Sequence, residues 1–269
     1  MADSQETRKE RRASARAERD RAAEAARARQ RQRLWVIGGA AALAVVIVVA
    51  IALASGGGSG TPKKRAGETL PGQIESNALF AGIPQSGVVL GNPRAPVTMV
   101  EFADLQCPYC REYTEQSLAT LVNTYVRPGK VKMIFRNVAF IGPDSTRAAQ
   151  MAAAVSMQNQ LWTFIDLFYT NQQEENSGYV TDAFLRRIGS AVRGLSVNRA
   201  MNDRNLPQVQ RLLDEAQTQW TSNGFSGTPS FLLGPTGGRL EALNVTSLGP
   251  AAFTVAIDRL LASSGRASS

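Results

Sequence analysis

Histidine is absent from all 269 residues, and cysteine occurs only twice. A structural zinc site takes four ligands, mostly cysteine and histidine. Two cysteines supply half of one, so a metal would need carboxylates or a second subunit. On its own the chain can close one disulfide at most. No aromatic residue precedes Trp35, and the basic stretch before it carries no nucleic-acid-binding motif. Its charge therefore reads as a topology signal with attraction to anionic lipid, not as a nucleic-acid contact. The glycine run Gly56 to Gly58 has no strand–helix pattern after it, which excludes a phosphate loop. Charge is missing altogether from the 21 residues Leu34 to Ala54.

At about 1.5 Å per residue, that uncharged span crosses a hydrocarbon core of about 30 Å. It predicts one transmembrane helix. A cleaved signal peptide is the alternative, because Ala52-Leu53-Ala54 before Ser55 fits a small-residue cleavage site. The 33 residues ahead of the run and the length of the run itself favour an uncleaved signal anchor. No cysteine follows that could carry a lipoprotein anchor. Residues 1–33 hold 11 Lys+Arg and 6 Asp+Glu, a net of +5 out of the total +8. A basic flank stays in the cytoplasm. The expected location is the cell membrane, single-pass, with the N-terminus inside and residues 55–269 outside, in a compartment that permits disulfides.

The chain divides accordingly into a basic tail (1–33), a transmembrane helix (34–54), a flexible linker (55–86), a folded domain (87–263) and a short C-terminal tail (264–269). The linker assignment rests on Ser-Gly-Gly-Gly-Ser-Gly-Thr-Pro-Lys-Lys-Arg at 55–65, with some order expected near Leu79-Phe80. Strands are predicted at Val88 to Leu90, Val97 to Phe102, Val131 to Phe135 and Ser230 to Leu233. Arg239 to Leu243 is predicted to pair with the last of these across Gly234-Pro235-Thr236-Gly237-Gly238. Helical spacing fills about 144–223, with Asp144 as the expected cap of its first helix. Pro250 opens a terminal helix. The fold class is α/β with a helical insertion, preceded by one transmembrane helix.

The chemistry concentrates at Cys107-Pro108-Tyr109-Cys110, after the apolar run Val97 to Phe102 and before a helical pattern. Thiolate is the attacking form of cysteine, and a free thiol with pKa about 8.5 supplies little of it at neutral pH. A helix N-terminus offers unpaired N–H groups and partial positive charge, which favour the anion at Cys107. Pro108 fits the first helical position, where an N–H would be unpaired anyway. Cys110 lies on the same helix face and can reach back. A fixed structural disulfide is the competing reading, but closing so short a loop restrains little chain. Trp162, Phe164 and Phe168 fit a core better than a substrate groove. Arg111 fits a solvated position better than a partner for the thiolate.

Strand, Cys-x-x-Cys, helix is the layout of thioredoxin-like redox proteins. Glu101-Phe102-Ala103-Asp104-Leu105-Gln106 leads into the cysteine pair, and Gly227-Thr228-Pro229-Ser230-Phe231 opens a strand about 120 residues later, across a helical block. Together these resemble the DsbA-like thioredoxin-fold thiol-disulfide oxidoreductases, in their membrane-anchored bacterial form, over residues 87–263. The resemblance implies Cys107 as nucleophile and Cys110 as resolving thiol, the two forming a redox disulfide. It implies Glu101 as a buried carboxylate that handles the Cys110 proton; a strand-edge glutamate facing water is the plain alternative. It implies a cis Thr228-Pro229 bond, with the Thr228 backbone receiving substrate by strand addition, and Pro108 and Tyr109 at the substrate face. An ordinary trans turn proline is the alternative there. Several strong oxidases of the family carry histidine where this chain has Tyr109, so the helix N-terminus must do more here. The resemblance further implies exported protein substrates, a membrane quinone-linked thiol oxidase as redox partner, and no organic cofactor or metal. Two other readings remain open: a disulfide reductase or isomerase using the same pair, and a redox-inert tethered binding module.

Overall fold

The computed structural model describes residues 69–266. The expected basic tail, the transmembrane span 34–54, residues 55–68 of the linker and the final three residues lie outside the described residues. Among the described residues, no helix is long and apolar enough to cross a membrane.

The centre of the fold is β3, Val97–Ala103, whose seven residues are all buried. A strand that is apolar on both faces must be covered on both. It is flanked by β4 (Val131–Asn137), parallel to it, and by β5 (Ser230–Pro235), antiparallel. Short strands β1 (Gln85–Ser86) and β2 (Val89–Leu90) extend the β4 edge, and β6 (Glu241–Ala242) extends the β5 edge, giving the order β1-β2-β4-β3-β5-β6. Side chains alternate along β3 with the strand period of two. Val97, Met99 and Ala103 face the larger core, whereas Val100 and Phe102 join Ala216, Trp220 and Leu232 on the other side. Glu101 shares the face of Val97, Met99 and Ala103 by that period.

After β3 comes helix α2 (Pro108–Tyr113), continued without a break by π-helical Thr114–Leu118, a turn of α-helix at Ala119–Leu121 and π-helical Val122–Val126. The helical insertion between β4 and β5 consists of α3 (Pro143–Ser156), α4 (Leu161–Thr170), α5 (Asp182–Ala191), α6 (Val197–Asp203) and α7 (Pro207–Ser222). Alanines 148, 149, 152, 153 and 154 of α3 are all buried. Alanine has the best helix propensity, and its small side chain lets neighbouring helices approach. The last helix, α8 (Ala251–Arg266), covers the β3/β5 side through Phe253 and Ile257.

Several boundaries differ from the sequence expectation, most strand ends by one or two residues. Residues 69–86 are not linker. Gln73–Leu79 forms a helix, α1, and Leu70, Phe80 and Ile83 are buried. Phe80 packs near Trp162, and Asn77 is tied to the end of α5 by hydrogen bonds to Ala191 O and from Arg193 N, both 2.8 Å. Few, scattered apolar residues among Gly, Pro and Ser gave no periodic signal for this. Asp144 is not a cap: Gly142 precedes Pro143 at the helix start, and the Asp144 carboxylate turns to Gly178 N (2.9 Å) and to Arg147. Only Glu241–Ala242 of the expected 239–243 strand pairs, with Leu232 and Leu233. An exposed outer strand has nothing beyond it to hold a longer ladder, and short edges are the common outcome. Helix α8 runs to Arg266, past the expected domain end at 263. Trp162, Phe164 and Phe168 are fully buried core residues.

Candidate active site

Register explains why residues 120 apart meet. Phe102, near the end of β3, pairs with Ser230, at the start of β5. The chain leaving β3 and the loop entering β5 must therefore lie side by side. Cys107 ends the first, as the N-cap of α2 with Pro108 at the first helical position. Thr228 and Pro229 end the second, and the bond between them is cis. The Cys107 thiol donates to the Thr228 carbonyl oxygen at 3.2 Å. The Thr228 carbonyl, expected to face a substrate, thus has a partner in the nucleophile candidate itself.

Both cysteines are free thiols. Cys107 is 5% exposed and Cys110 is fully buried beneath it. Their acidities diverge. Cys107 is lowered to about 6. The Cys110 thiol facing it contributes most to that shift, partial burial opposes it, and Thr228 with the Tyr109 and Cys110 backbone N–H groups adds donors. Thr228 Oγ1 is buried and without a hydrogen-bond partner, which leaves its hydroxyl available to a Cys107 thiolate. Cys110 is pushed well above the ordinary thiol range, first by burial, then by its neighbour Cys107. Backbone N–H groups at the helix start reach the first sulfur, whereas burial decides the second.

Glu101 lies on β3 directly across from Phe231 of β5 and is 2% exposed. Desolvation raises its carboxyl from 4.5 to about 8. It interacts electrostatically with Cys110 and with Tyr113, one turn further along α2. A carboxyl with that value changes charge near neutral pH, which suits it to exchanging a proton with a buried thiol. The Tyr113 hydroxyl is buried and unpartnered, and its ring is held by Phe231 (4.8 Å between centroids) and Phe253 (5.1 Å).

Of the remaining sequence candidates, Pro108 is exposed and Tyr109 is 62% exposed, so both rim Cys107 on the solvent side. Pro229 is half-buried. Arg111 is paired with Glu115 at 2.6 Å, on the exposed side of α2. Sequence reasoning passed over Asp104, Gln106, Tyr113 and Gln172. Asp104 was visible as a charge at the end of an apolar run. Gln172 lies 65 residues from Cys107 and gave no signal. Among the described residues, no cluster of three or more Cys, Asp or Glu side chains could hold a metal ion.

The family profile described as "Thioredoxin" matches residues 84–240. A protein of Bacillus anthracis named "Probable disulfide bond formation protein D" is 36% identical over 116 residues, covering 42% of this chain and 52% of that protein. The chain thus spans about half the length of the curated relatives it matches. Oxidised BdbD from Bacillus subtilis superposes with a TM-score of 0.57 at 20% identity, over 66% of this chain and 97% of that one. A thioredoxin-like oxidoreductase from Silicibacter pomeroyi gives a TM-score of 0.51 at 26% identity, over 69% and 95%.

Proposed function

This chain belongs to the thioredoxin family, and from that premise we propose that it is a thiol-disulfide oxidoreductase that oxidises the thiols of exported proteins outside the cytoplasm. One observation carries the reading: two free thiols one turn apart, the outer lowered to about 6 and the inner raised, above a carboxyl at about 8. Naming of the relatives after disulfide bond formation supports the same direction.

The cycle balances as follows. A substrate thiolate attacks Cys107 Sγ of the Cys107–Cys110 disulfide and forms a mixed disulfide. The Cys110 thiolate leaves and takes the proton held on Glu101. A second substrate thiolate attacks the substrate sulfur of the mixed disulfide, and Cys107 leaves as a thiolate, favoured by its low pKa. The substrate has lost two electrons to the cysteine pair. A membrane quinone-linked thiol oxidase removes them and restores the disulfide. Thr228 and Pro229, with Pro108 and Tyr109, present the substrate to Cys107. No metal or organic cofactor enters any step.

Residues 34–54 anchor the enzyme, residues 1–33 remain in the cytoplasm, and the catalytic domain lies outside. The uncharged span and its basic flank support this arrangement.

The direction is tested by the reduction potential of the full chain. A value near that of DsbA, about −120 mV, supports oxidation; a value near that of thioredoxin, about −270 mV, makes the protein a reductase and overturns the proposal. An impermeant thiol reagent applied to whole cells after mild reduction tests the topology. Labelling of Cys107 is expected; protection of it in intact cells, with labelling only after lysis, would reverse the orientation.

A further inference from the structure

Residues Asp104 to Cys107 are held largely from outside their own strand–helix unit. The Asp104 carboxylate is fully buried and accepts four hydrogen bonds. Oδ1 receives Gln106 N at 2.9 Å and Ser145 Oγ at 2.7 Å; Oδ2 receives Phe140 N at 3.1 Å and Ile141 N at 3.2 Å. The Asp104 carbonyl oxygen takes Cys107 N at 3.0 Å and the Tyr169 hydroxyl at 3.2 Å. Gln172, two residues beyond α4, donates Nε2 to Leu105 O at 2.8 Å and to Cys107 O at 3.2 Å. The Gln106 side chain is gripped by the same loop, its Oε1 accepting from Asn176 N at 2.9 Å. Ser145, Tyr169, Gln172 and Asn176 all belong to the helical insertion.

A buried carboxylate is costly unless donors replace its water. Here four donors do, and three of them come from one distant stretch of chain, 140–145. A simple strand-to-helix turn needs no such arrangement. Gln172 reaches further still. The carbonyl oxygen it holds is that of the nucleophile candidate, which also accepts the helical hydrogen bond from Arg111 N at 3.2 Å.

We propose that Asp104 and Gln172 are positioning residues for Cys107, through which the helical insertion sets where the sulfur sits against the first N–H groups of α2 and the Thr228 loop. The proposal rests on the reading of Cys107 as the nucleophile. Its physical basis is the steepness of the interactions involved. Hydrogen bonds weaken quickly with distance and angle, and the helix-terminus effect fades within one turn. A small displacement of the Cys107 backbone therefore costs thiolate stability. A less stable thiolate makes the reduced form less favoured and the pair a weaker oxidant.

The test uses Gln172→Ala, Gln172→Glu and Asp104→Asn in the full chain, read by Cys107 thiolate absorbance against pH and by the equilibrium with glutathione. Gln172→Ala removes both hydrogen bonds and is expected to raise the Cys107 midpoint by about half a unit. Gln172→Glu sets an anionic acceptor against two carbonyl oxygens and beside the thiolate, and is expected to raise it by about one unit. Asp104→Asn turns one acceptor towards two N–H donors; an upward shift of about one unit is expected, with a lower denaturation midpoint. In each variant the glutathione equilibrium shifts towards the disulfide. Gln172 is half-buried, so its two variants decide the matter even where Asp104→Asn fails to fold. Wild-type titration and equilibrium in both Gln172 variants, whatever happens to thermal stability, would overturn the proposal alone. A wild-type Cys107 that titrates like free cysteine would overturn the nucleophile reading and this proposal with it.

Discussion

Cys107 stands where a strand has ended and a helix begins, whereas Cys110 lies one turn on, under the helix and over the sheet. Cys107 meets backbone N–H groups, the Thr228 loop and an exposed rim of Pro108 and Tyr109. Cys110 meets Glu101, Tyr113 and the rest of the larger core, and no solvent. Two identical side chains, three positions apart, are pushed in opposite directions. Burial alone would raise both. For the first sulfur the Cys110 thiol, with Thr228 and two backbone N–H groups, outweighs partial burial; for the second, burial dominates. Unequal thiols one turn apart suit one to attack and leave, and the other to wait under cover.

The largest effect expected is from removing either sulfur. Cys110→Ser should abolish turnover; offered a protein disulfide, its lone Cys107 thiolate displaces one substrate sulfur and should accumulate as a mixed disulfide, because Cys110 is no longer there to release it. Cys107→Ser should abolish turnover without trapping. Equal trapping by both would erase the distinction between the two sulfurs.

Glu101→Gln comes next, and it acts on the inner thiol. Between 4.5 and about 8 the folded carboxyl keeps a proton that the unfolded chain has lost. The folded state is therefore penalised as pH rises through that window, by on the order of 5 kcal/mol once pH exceeds 8. Chemical denaturation at pH 5 and pH 8.5 should show wild-type stability falling with pH by more than that of Glu101→Gln. Formation of the mixed disulfide, the step in which Cys110 leaves, should slow in the variant and lose its pH dependence near 8. Parallel stability profiles would remove the buried carboxyl from the account.

Thr228→Val sharpens the outer side. It deletes a buried hydroxyl that has no hydrogen-bond partner and that favours the Cys107 anion. A hydrogen bond to a charged group is worth about 1.5–3 kcal/mol, so the Cys107 midpoint should rise from about 6 by about one unit or more. Thiolate absorbance measures it, and an unmoved midpoint would leave the shift to the backbone donors and Cys110.

The smallest effect is expected at Tyr113. Its buried hydroxyl is unpaired, and an unmet buried donor costs about 1–3 kcal/mol. Tyr113→Phe should fold and gain about 1 kcal/mol in urea denaturation. A loss of stability would mean that the hydroxyl has a partner in solution.

Much of the site was legible because its signals are local. The Cys-x-x-Cys spacing, a proline at the first helical position and an uninterrupted apolar strand ahead of them need no knowledge of distant chain. Thr228-Pro229 could be matched to the site only through family resemblance; the Phe102–Ser230 register gives the reason, since it sets the two loops side by side. The helical insertion was legible from its spacing, whereas α1 was not, because its apolar residues acquire meaning only against Trp162 and α5. Gln172 is an ordinary polar residue until the fold brings it to the Cys107 carbonyl.

By itself the sequence determined the chemistry available: two thiols, no imidazole, one acidic residue in an apolar strand, and a helix starting at the first thiol. Those follow from residue type and short-range spacing. Tertiary structure decided how unequal the thiols become. Desolvation of Glu101 and Cys110, and the hold of Asp104 and Gln172 on the Cys107 loop, depend on contacts between segments far apart in the chain, 41 residues for Asp104–Ser145 and 65 for Cys107–Gln172. Such energies depend on distance and on the exclusion of water, and neither is set until the chain has folded.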